Sequence, residues 1–415
     1  MSTFFGIISI GDRMKKKILI GSSIIFGVIC IGILSFRLYQ NYRIANAKII
    51  VNLVDNLEID VFSEVKLSDL IKSINGKLVK DYKINTTKIG AKKVNFEFIN
   101  DEDIKVSYSF DINIVDYEAP LIFSSKSYSI TEGYDGNLAE ELFCGDKYDD
   151  NPTCEIVGEY DVNRPGSYAV MFRGIDSSNN ISMNEFNLIV KKKSNSSSSG
   201  GGSLGKGQNF SDLVNKYKND NTRIGIDVSH WQGNIDFEKV KNAGVEFVFI
   251  RVGSQRGIGG EYYVDSKFEQ NIKGFQKVGI PVGIYFYSYA NSKSTAKREA
   301  KWVIEQIKPY KIDLPVVFDW ESWSFFQEFE KSFYSLTEIA NTYLNEVENS
   351  GYKGMLYSSK YYLENVWFKT KYPVWLAHYT EKTNYQGEYS YWQLCSNGRI
   401  DGISDNVDVN VMYLD

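Results

Sequence analysis

Four acidic residues in the C-terminal half lie in or just after predicted strands: Asp227, Asp319, Glu321 and Asp408. Residues two apart in a strand point to the same side, so Asp319 and Glu321 would project together while Trp320 faces the other way. Two carboxyl groups held that close raise the pKa of one of them, which can then stay protonated and donate to a leaving oxygen. Cleavage of a glycosidic bond needs such a donor. The pattern therefore indicates a carboxylate site for acid–base chemistry.

Apolar strand-like runs alternate with amphipathic helix-like stretches from Arg223 onward, which is typical of parallel strands joined by crossover helices. The predicted strands are Ile224–Val228, Phe247–Val252, Val282–Tyr289, Val316–Trp320, Met355–Ser358, Val374–His378, Tyr391–Cys395 and Val407–Met412. Eight strands favour an α/β fold of the (β/α)-barrel type, whose reactive groups collect at the carboxyl ends of its strands. Residues 222–415 are few for that fold. We therefore expect an irregular barrel that lacks helices near its end.

Composition argues against several other kinds of site. The net charge of −5 and the absence of a basic run in the C-terminal half predict no nucleic-acid partner. The two histidines, His230 and His378, form no HExxH metal motif. The four cysteines include no CxxC pair, and Cys144 and Cys154 lie close enough in sequence to suggest a disulfide bond. We expect neither a metal ion nor an organic cofactor.

The N-terminal region carries an uncharged apolar run, Ile18–Phe36, close to the roughly 20 residues that cross a membrane as a helix. Arg13 and Lys15–Lys17 precede this run, so the positive-inside tendency places residues 1–17 in the cytoplasm. The alternative is a cleaved secretory signal, since Ala45-Asn46-Ala47 resembles a cleavage site. We favour a single-pass transmembrane helix because the run exceeds the typical signal core of about 7 to 15 residues. Both interpretations predict an extracellular C-terminal half, and the anchor predicts a cell-membrane location.

Short β-branched and aromatic stretches fill the middle of the chain, and an internal repeat divides them. A Gly-x-x-x-Val-x-Phe pattern begins at Gly90 and again at Gly166. We predict two all-β sandwich modules that resemble bacterial immunoglobulin-like surface modules, at residues 48–116 and 117–191. A stalk role is favoured over the binding of a wall ligand, because neither copy gathers carboxylates or aromatics into a site.

A segment rich in Lys, Ser and Gly separates these modules from the C-terminal half. Such a composition is too polar to pack and behaves as a flexible coil. We predict a flexible linker at residues 192–221 and a catalytic domain at residues 222–415.

Four motifs of the C-terminal half occur in the order in which one known family carries them. They are Gly225–Gly233 (Gly-Ile-Asp-Val-Ser-His-Trp-Gln-Gly), Phe318–Glu321, Tyr391–Gln393 and Val407–Asn410. This half resembles glycoside hydrolase family 25, the lysozymes that act as N-acetylmuramidases. The resemblance implies a bacterial cell-wall enzyme that hydrolyses the β-1,4 bond between N-acetylmuramic acid and N-acetylglucosamine in the glycan strands of peptidoglycan.

The resemblance also implies roles for individual residues. Glu321 would be the general acid and then the base, and Asp319 would orient the substrate's 2-acetamido group as it attacks the anomeric carbon, a retaining route. A direct nucleophile and an inverting water are the alternatives. Asp227 and Asp408 would flank the pair and tune its charge or bind sugar. Aromatic residues that could stack on sugar faces are Tyr285, Tyr287, Trp375, Tyr379 and Trp392.

Two other functions fit the same residues. One is a surface protein that binds wall glycan without cutting it, and the intact Asp319 and Glu321 argue against that function. The other is hydrolysis of a different N-acetylated glycan such as chitin. Release of chitin fragments without muramic acid ends would favour the second alternative.

Overall fold

The computed structural model describes residues 28–193, 207–321 and 326–414. The chain divides into two compact units, Met1–Tyr117 and Glu118–Asp415. This division places the second strand-rich module in the same unit as the C-terminal half.

A helix covers residues 28–45 of the first unit, and many of its apolar side chains are exposed. Of the predicted membrane segment Ile18–Phe36, residues 18–27 lie outside the described residues. Among the residues that are described, no helix combines the length and the apolar character needed to cross a membrane.

The first strand-rich module is built on a four-stranded sheet with the strand order Glu58–Asp60, Lys105–Val115, Gly90–Asn100 and Gly76–Leu78. The first pair in this order is parallel and the other two pairs are antiparallel. Buried and exposed side chains alternate along the longest strands, so one face of the sheet forms a core. Shorter elements complete the module: Val51–Leu53 paired with Ile71–Ile74, Val65–Lys66 paired with Lys83–Ile84, and a 3-10 turn at Leu67–Leu70.

The second module opens the second unit and has the same sheet order, formed by Ser127–Thr131, Ile181–Lys191, Gly166–Ile175 and Thr153–Val157. Its pairs are likewise parallel, antiparallel and antiparallel. Gly90 and Gly166 begin equivalent strands, as the internal repeat predicts. The immunoglobulin-like assignment stays a prediction. Smaller elements are Leu121–Ile122 paired with Cys144–Gly145 and a short helix at Leu138–Glu141. A disulfide bond joins Cys144 to Cys154, which confirms that prediction.

Eight further strands of the second unit form a closed barrel. In chain order they are Thr222–Val228, Phe247–Gln255, Val282–Tyr287, Val316–Asp319, Gly354–Ser359, Val374–Ala377, Tyr391–Arg399 and Val407–Tyr413, here called the first to eighth barrel strands. The first seven run parallel to one another. The eighth is antiparallel to both the seventh and the first and closes the barrel. Residues 400–406 join the last two strands and are too few for a crossover, so the chain turns back.

Helices and shorter elements surround this barrel. The α-helices are Phe210–Tyr217, Phe237–Asn242, Phe268–Lys277, Lys293–Ile307, Phe333–Asn349 and Lys360–Asn365, with 3-10 turns at His230–Gln232 and Phe326–Phe329 and a short strand at Tyr262–Val264. Within the described residues, no helix follows the sixth or the seventh strand. The prediction of an irregular barrel with helices missing near its end is therefore confirmed.

The linker predicted at residues 192–221 extends too far toward the C-terminus. Gln208–Asn209 pairs with the end of the seventh barrel strand, and the helix Phe210–Tyr217 follows it. Phe210 and Leu213 are buried in the barrel's outer core because residues three apart share one face of a helix. Residues 208–217 are therefore part of the barrel domain, while residues 194–206 lie outside the described residues.

Alternation along the strands separates the interior of the barrel from the layer under the helices. Phe247 and Phe249 of the second strand pack in the interior, whereas Val248 and Ile250 pack in the outer core. Gly283 on the third strand leaves room for this packing, since a Cβ atom there would lie 2.2 Å from the Phe249 ring. Side chains thus fill the barrel interior. The end of this interior that faces solvent lies at the carboxyl ends of the parallel strands.

Candidate active site

The four predicted carboxylates lie around one cavity of about 230 Å³. Asp227 is near the end of the first strand, Asp319 is the last residue of the fourth, and Glu321 follows two residues later. Asp408 is near the beginning of the eighth strand. Because that strand runs antiparallel to the first, its beginning lies at the edge where the others end. The structure therefore brings together all four side chains that the sequence singled out.

Asp319 and Glu321 form the centre of this cavity. A hydrogen bond joins their side chains, and Asp319 is buried. In the sheet register Asp319 is flanked by Tyr287 and Tyr357 of the neighbouring strands. Trp320 is fully buried in the outer core, so it faces away from the cavity as predicted.

Burial raises the pKa of Asp319 well above its usual range, and the charge and hydrogen bond of Glu321 raise it further. Arg251 acts in the opposite direction. The sequence predicted one raised pKa in this pair without identifying its owner. Burial and the neighbouring Glu321 therefore favour the protonated form of Asp319.

Asp227 is held by two amide side chains in the barrel. Gln393 Nε2 and Asn410 Nδ2 donate hydrogen bonds to Asp227 Oδ2 at 2.9 and 2.8 Å. Burial raises the pKa of Asp227 to about 6, the two hydrogen bonds oppose this effect, and the charge of Glu321 adds to it. Asp227 is therefore fixed in position and is mostly ionised at neutral pH.

The two amides are themselves oriented by aromatic residues. Gln393 Oε1 accepts hydrogen bonds from the Tyr357 and Tyr379 hydroxyl groups at 2.8 and 3.0 Å. Trp375 Nε1 donates to Asn410 Oδ1 at 2.8 Å. Sequence reasoning missed Gln393 and Asn410 as functional residues. Their signal was present, since each lies within one of the motifs that carried the family resemblance.

Asp408 is half-buried on the side of the cavity next to Asp227. Burial raises the pKa of Asp408 to about 9, and the charges of Asp227 and Glu321 contribute to the increase. Asp408 is therefore protonated at neutral pH, unlike Asp227. Within the described residues, no three carboxyl groups of this cavity converge closely enough to hold a metal ion.

Tyr285, Tyr287, Trp375 and Tyr379 line the cavity. Trp375 is not free to stack on a sugar, because it is buried and its ring stacks on Phe249 at 4.5 Å. Tyr379 is 57% exposed and is the better candidate for a sugar contact.

The prediction that Trp392 binds sugar is wrong. Trp392 is buried in the outer core, and its Nε1 donates to the carbonyl oxygen of His378 at 2.9 Å. Tyr391 packs in the barrel interior and Gln393 lines the cavity, so alternation along the seventh strand turns Trp392 outward.

Trp231 stands at the rim of the cavity and was also missed. It lies in the 3-10 turn after the first strand and is 70% exposed, although it lines the cavity. The neighbouring His230 ring lies 4.4 Å from it, and Asp265 Oδ2 is within hydrogen-bond distance of His230 Nδ1 at 3.2 Å. Arg251 Nε donates to the same Asp265 oxygen at 2.8 Å. A buried ion pair therefore supports the base of this rim.

A second cavity of about 370 Å³ adjoins the first. Both cavities are lined by Glu321, Tyr357 and Tyr379. The second is also lined by Ser359, Lys360, Tyr361, Ala377 and His378. The two cavities therefore meet at these three residues and form one cleft along which Glu321 lies.

A barrel of this kind, with a hydrogen-bonded carboxyl pair in a cleft at its carboxyl edge, has the features of a glycosidase. The profile described as glycosyl hydrolases family 25 matches residues 226–403. An uncharacterized protein, YegX, of Escherichia coli K12 is 31% identical over 197 residues, which cover 45% of this chain and 68% of that protein. The chain belongs to glycosyl hydrolase family 25, and its C-terminal half is a lysozyme-type glycosidase.

Two further matches have functional names. An autolytic lysozyme of Clostridium acetobutylicum is 27% identical over 189 residues, covering 45% of this chain and 54% of that protein. The crystal structure of a family 25 glycosyl hydrolase from Bacillus anthracis is 22% identical and covers 48% of this chain and 90% of that one, with a TM-score of 0.41.

Proposed function

We propose that the barrel hydrolyses peptidoglycan at the β-1,4 bond between N-acetylmuramic acid and N-acetylglucosamine, with retention of anomeric configuration. The observation that carries this proposal is the hydrogen-bonded pair of Asp319 and Glu321 in the middle of a cleft. Glu321 lines both adjoining cavities, which suits cleavage inside a polysaccharide rather than at its end. The name of the Clostridium acetobutylicum relative supports a wall substrate.

The first step needs an acceptor for the N–H of the substrate's 2-acetamido group. Asp319 Oδ1 is buried and, among the described residues, has no hydrogen-bond partner. We infer that the acetamido N–H donates to this oxygen. The contact would favour the ionised form of Asp319, so the proton that Asp319 holds would pass along the hydrogen bond to Glu321.

Glu321 then gives this proton to the glycosidic oxygen as the bond to the anomeric carbon breaks. The carbonyl oxygen of the acetamido group forms a bond to the same carbon from the opposite face, which gives an oxazoline-type intermediate. Glu321, now ionised, removes a proton from a water molecule that opens this ring. Two inversions at one carbon give net retention.

Asp227 and Asp408 would support the charge that develops at the anomeric carbon. Asp227 is mostly ionised at neutral pH because Gln393 and Asn410 donate to it, so it can stabilise a positive centre. Asp408 keeps its proton and can donate to a sugar hydroxyl group. On one side of the cleft, Asp227 can thus accept hydrogen bonds while Asp408 can donate one.

The test is digestion of purified peptidoglycan by the full chain, beside Glu321→Gln, with the new reducing ends identified by mass spectrometry. Muramic acid ends from the parent and a loss of about 10²- to 10⁴-fold in the variant are expected. Glu305→Gln, an exposed site on the helix Lys293–Ile307, is the matched control. N-acetylglucosamine ends, or cleavage of chitin in place of peptidoglycan, would overturn the bond that we assign.

Stereochemistry is tested separately. The anomeric configuration of the first product, followed by NMR before mutarotation, is expected to be that of the substrate. An inverted product would remove the acetamido-assisted route and favour an attacking water.

We also propose that residues 18–36 hold the chain in the cell membrane, with residues 1–17 in the cytoplasm and the barrel outside. The support is the uncharged apolar run with its preceding basic residues, together with exposed apolar side chains such as Val28, Ile31 and Phe36 on the described part of the helix. Fractionation of cells should place the intact chain in the membrane. A barrel found in the cytosol alone would contradict this placement.

A further inference from the structure

One loop of the second strand-rich module lies against the barrel. It is the segment Cys144–Cys154, closed by the disulfide bond between its end residues, and we call it the docking loop. It contacts the barrel domain at Ser332, which precedes the helix Phe333–Asn349, the first α-helix after the fourth barrel strand. The module is therefore joined to the catalytic domain by packing as well as by the chain.

The docking loop provides hydrogen-bond acceptors for the start of the helix Phe333–Asn349. Asp150 Oδ1 accepts from the backbone N–H of Ser332 at 2.8 Å and from its hydroxyl group at 2.7 Å. The carbonyl oxygens of Asp146 and Lys147 accept from the N–H groups of Phe333 and Tyr334 at 2.8 and 3.0 Å.

These donors are of the kind that a helix leaves without internal partners at its first turn. A carboxylate at this position is also favoured by the helix dipole. The hydrogen bonds from Ser332 lower the pKa of Asp150 although burial opposes them, so Asp150 stays ionised in this contact. The module therefore caps a helix that belongs to the barrel.

Contacts between aromatic rings connect the docking loop region to the residue between Asp319 and Glu321. Phe143, next to the docking loop, stacks on Phe333 with ring centroids 6.4 Å apart and lies 6.0 Å from Tyr362. Tyr362 is buried and lies 6.1 Å from Trp320. Trp320 is the residue between Asp319 and Glu321, so this line of rings ends at the backbone that presents both carboxyl groups.

The docking loop makes a second aromatic contact beside the first. Tyr148 of the docking loop lies 5.9 Å from Phe368, and the residue before Phe368 is Trp367. Trp367 lies 6.2 Å from Trp320 and donates through Nε1 to Ser358 Oγ at 2.8 Å. Trp320 thus contacts the ring of Tyr362, which Phe143 also contacts, and the ring of Trp367, the chain neighbour of Phe368.

We propose that the second strand-rich module positions Glu321 and Asp319 through the docking loop, with Asp150 and Phe143 as its positioning residues. The predicted role of the module as a stalk is thereby extended, because the module also contacts the start of the helix Phe333–Asn349. Through Phe143 it also contacts the Tyr362 ring, which packs on Trp320. The inference rests on the proposed role of Glu321 as the acid, but not on the bond that is cut.

The test uses the full chain with Asp150→Asn and Phe143→Ala, and Glu159→Gln as the control. Glu159 is exposed in the same module, and its replacement removes the same charge as Asp150→Asn. Steady-state rates on solubilised peptidoglycan should show kcat lowered about tenfold in both variants, with KM within twofold of the parent. The alkaline limb of the kcat/KM profile, which reports the free enzyme, should move to lower pH, because looser packing admits water and lowers the pKa of Asp319.

Amide hydrogen exchange provides a readout that is independent of activity. The N–H groups of Phe333 and Tyr334 should exchange faster in both variants, and thermal unfolding must show that each variant is folded at the assay temperature. Faster exchange with an unchanged kcat and pH profile would overturn the proposal, since the contact would then be structural only. Unchanged exchange would overturn it as well. If the parent releases a different reducing end, the bond that we assign is wrong. The ratio of variant to parent kcat would still test the positioning role of the module.

Discussion

Asp227 and Asp408 occupy directly opposed positions on the first and eighth barrel strands. Side chains in such positions of an antiparallel pair lie on the same face of the sheet, so two ionised carboxylates there would repel each other. The two carboxyl groups avoid this repulsion because they ionise at different pH values. The pKa of Asp227 is about 6, because two amide donors offset its burial, whereas the pKa of Asp408 is about 9.

The first prediction concerns Asp408→Asn. The folded state keeps a proton on Asp408 up to about pH 9, whereas the unfolded chain releases it near pH 3.8, so the parent loses stability as pH rises through this window. Replacement by Asn removes that loss, and the melting temperature at pH 8 should rise by a few degrees. Activity should fall about tenfold or more, since the residue lines the cleft. A variant that gains stability and keeps full activity would exclude Asp408 from the reaction.

Glu299→Gln is a second prediction, which separates stability from catalysis. Burial raises the pKa of Glu299 to about 8, and its side chain accepts hydrogen bonds from the Ser288 hydroxyl group and the Tyr289 N–H. The parent should lose stability between about pH 4.5 and 8, and the variant should lose less. Urea unfolding followed by tryptophan fluorescence reports on the C-terminal half alone, because all seven tryptophans lie there. An equal pH dependence of the unfolding free energy in parent and variant would contradict the prediction. The kcat of the variant should stay within twofold of the parent value.

Gln393→Leu tests the support of Asp227. The change removes one donor to Asp227 and the shared acceptor of Tyr357 and Tyr379, and leaves these buried polar groups short of partners. We expect a loss of stability of about 1–3 kcal/mol and a fall in kcat of about tenfold. Thermal unfolding and initial rates check the two effects. Gln386→Leu, at an exposed site, is the control and should change neither.

Trp231→Ala tests the rim of the cleft. An exposed ring that adjoins a sugar-binding cavity contributes binding energy without touching the reacting atoms. We expect KM to rise about three- to tenfold, the equivalent of about 0.5–1.5 kcal/mol, with kcat nearly unchanged. Tyr160→Ala, which removes a partly exposed ring from the second module, should leave KM at the parent value. A fall in kcat alone would place Trp231 in the chemistry instead.

Much of the barrel was predictable because its strands are short, apolar and separated by helix-like stretches. Asp319 and Glu321 were predictable as a pair, since period-two alternation fixes that they share a side and that Trp320 does not. Alternation alone does not tell which of two neighbours faces the cavity. This is why Trp392 was chosen and Gln393 was missed, although they are adjacent in one motif.

The antiparallel course of the eighth strand and the place of residues 208–217 were harder to predict. Both depend on pairing between strands that are far apart in the chain, such as Gln208 with Gly398. The closure of the docking loop by Cys144 and Cys154 was predictable, but its contact with the barrel left no sequence signal, because Asp150 and Ser332 are 182 residues apart and neither lies in a motif. Contacts of that kind are decided by tertiary packing and not by local periodicity.

The disulfide bond between Cys144 and Cys154 closes the loop that caps a catalytic-domain helix. Such bonds form and persist in oxidising compartments and are uncommon in the reducing cytosol. With the barrel placed outside the cell as we propose, this bond would close the docking loop only after export. If the docking loop positions Glu321 and Asp319 as we infer, the enzyme would reach full activity only after that step.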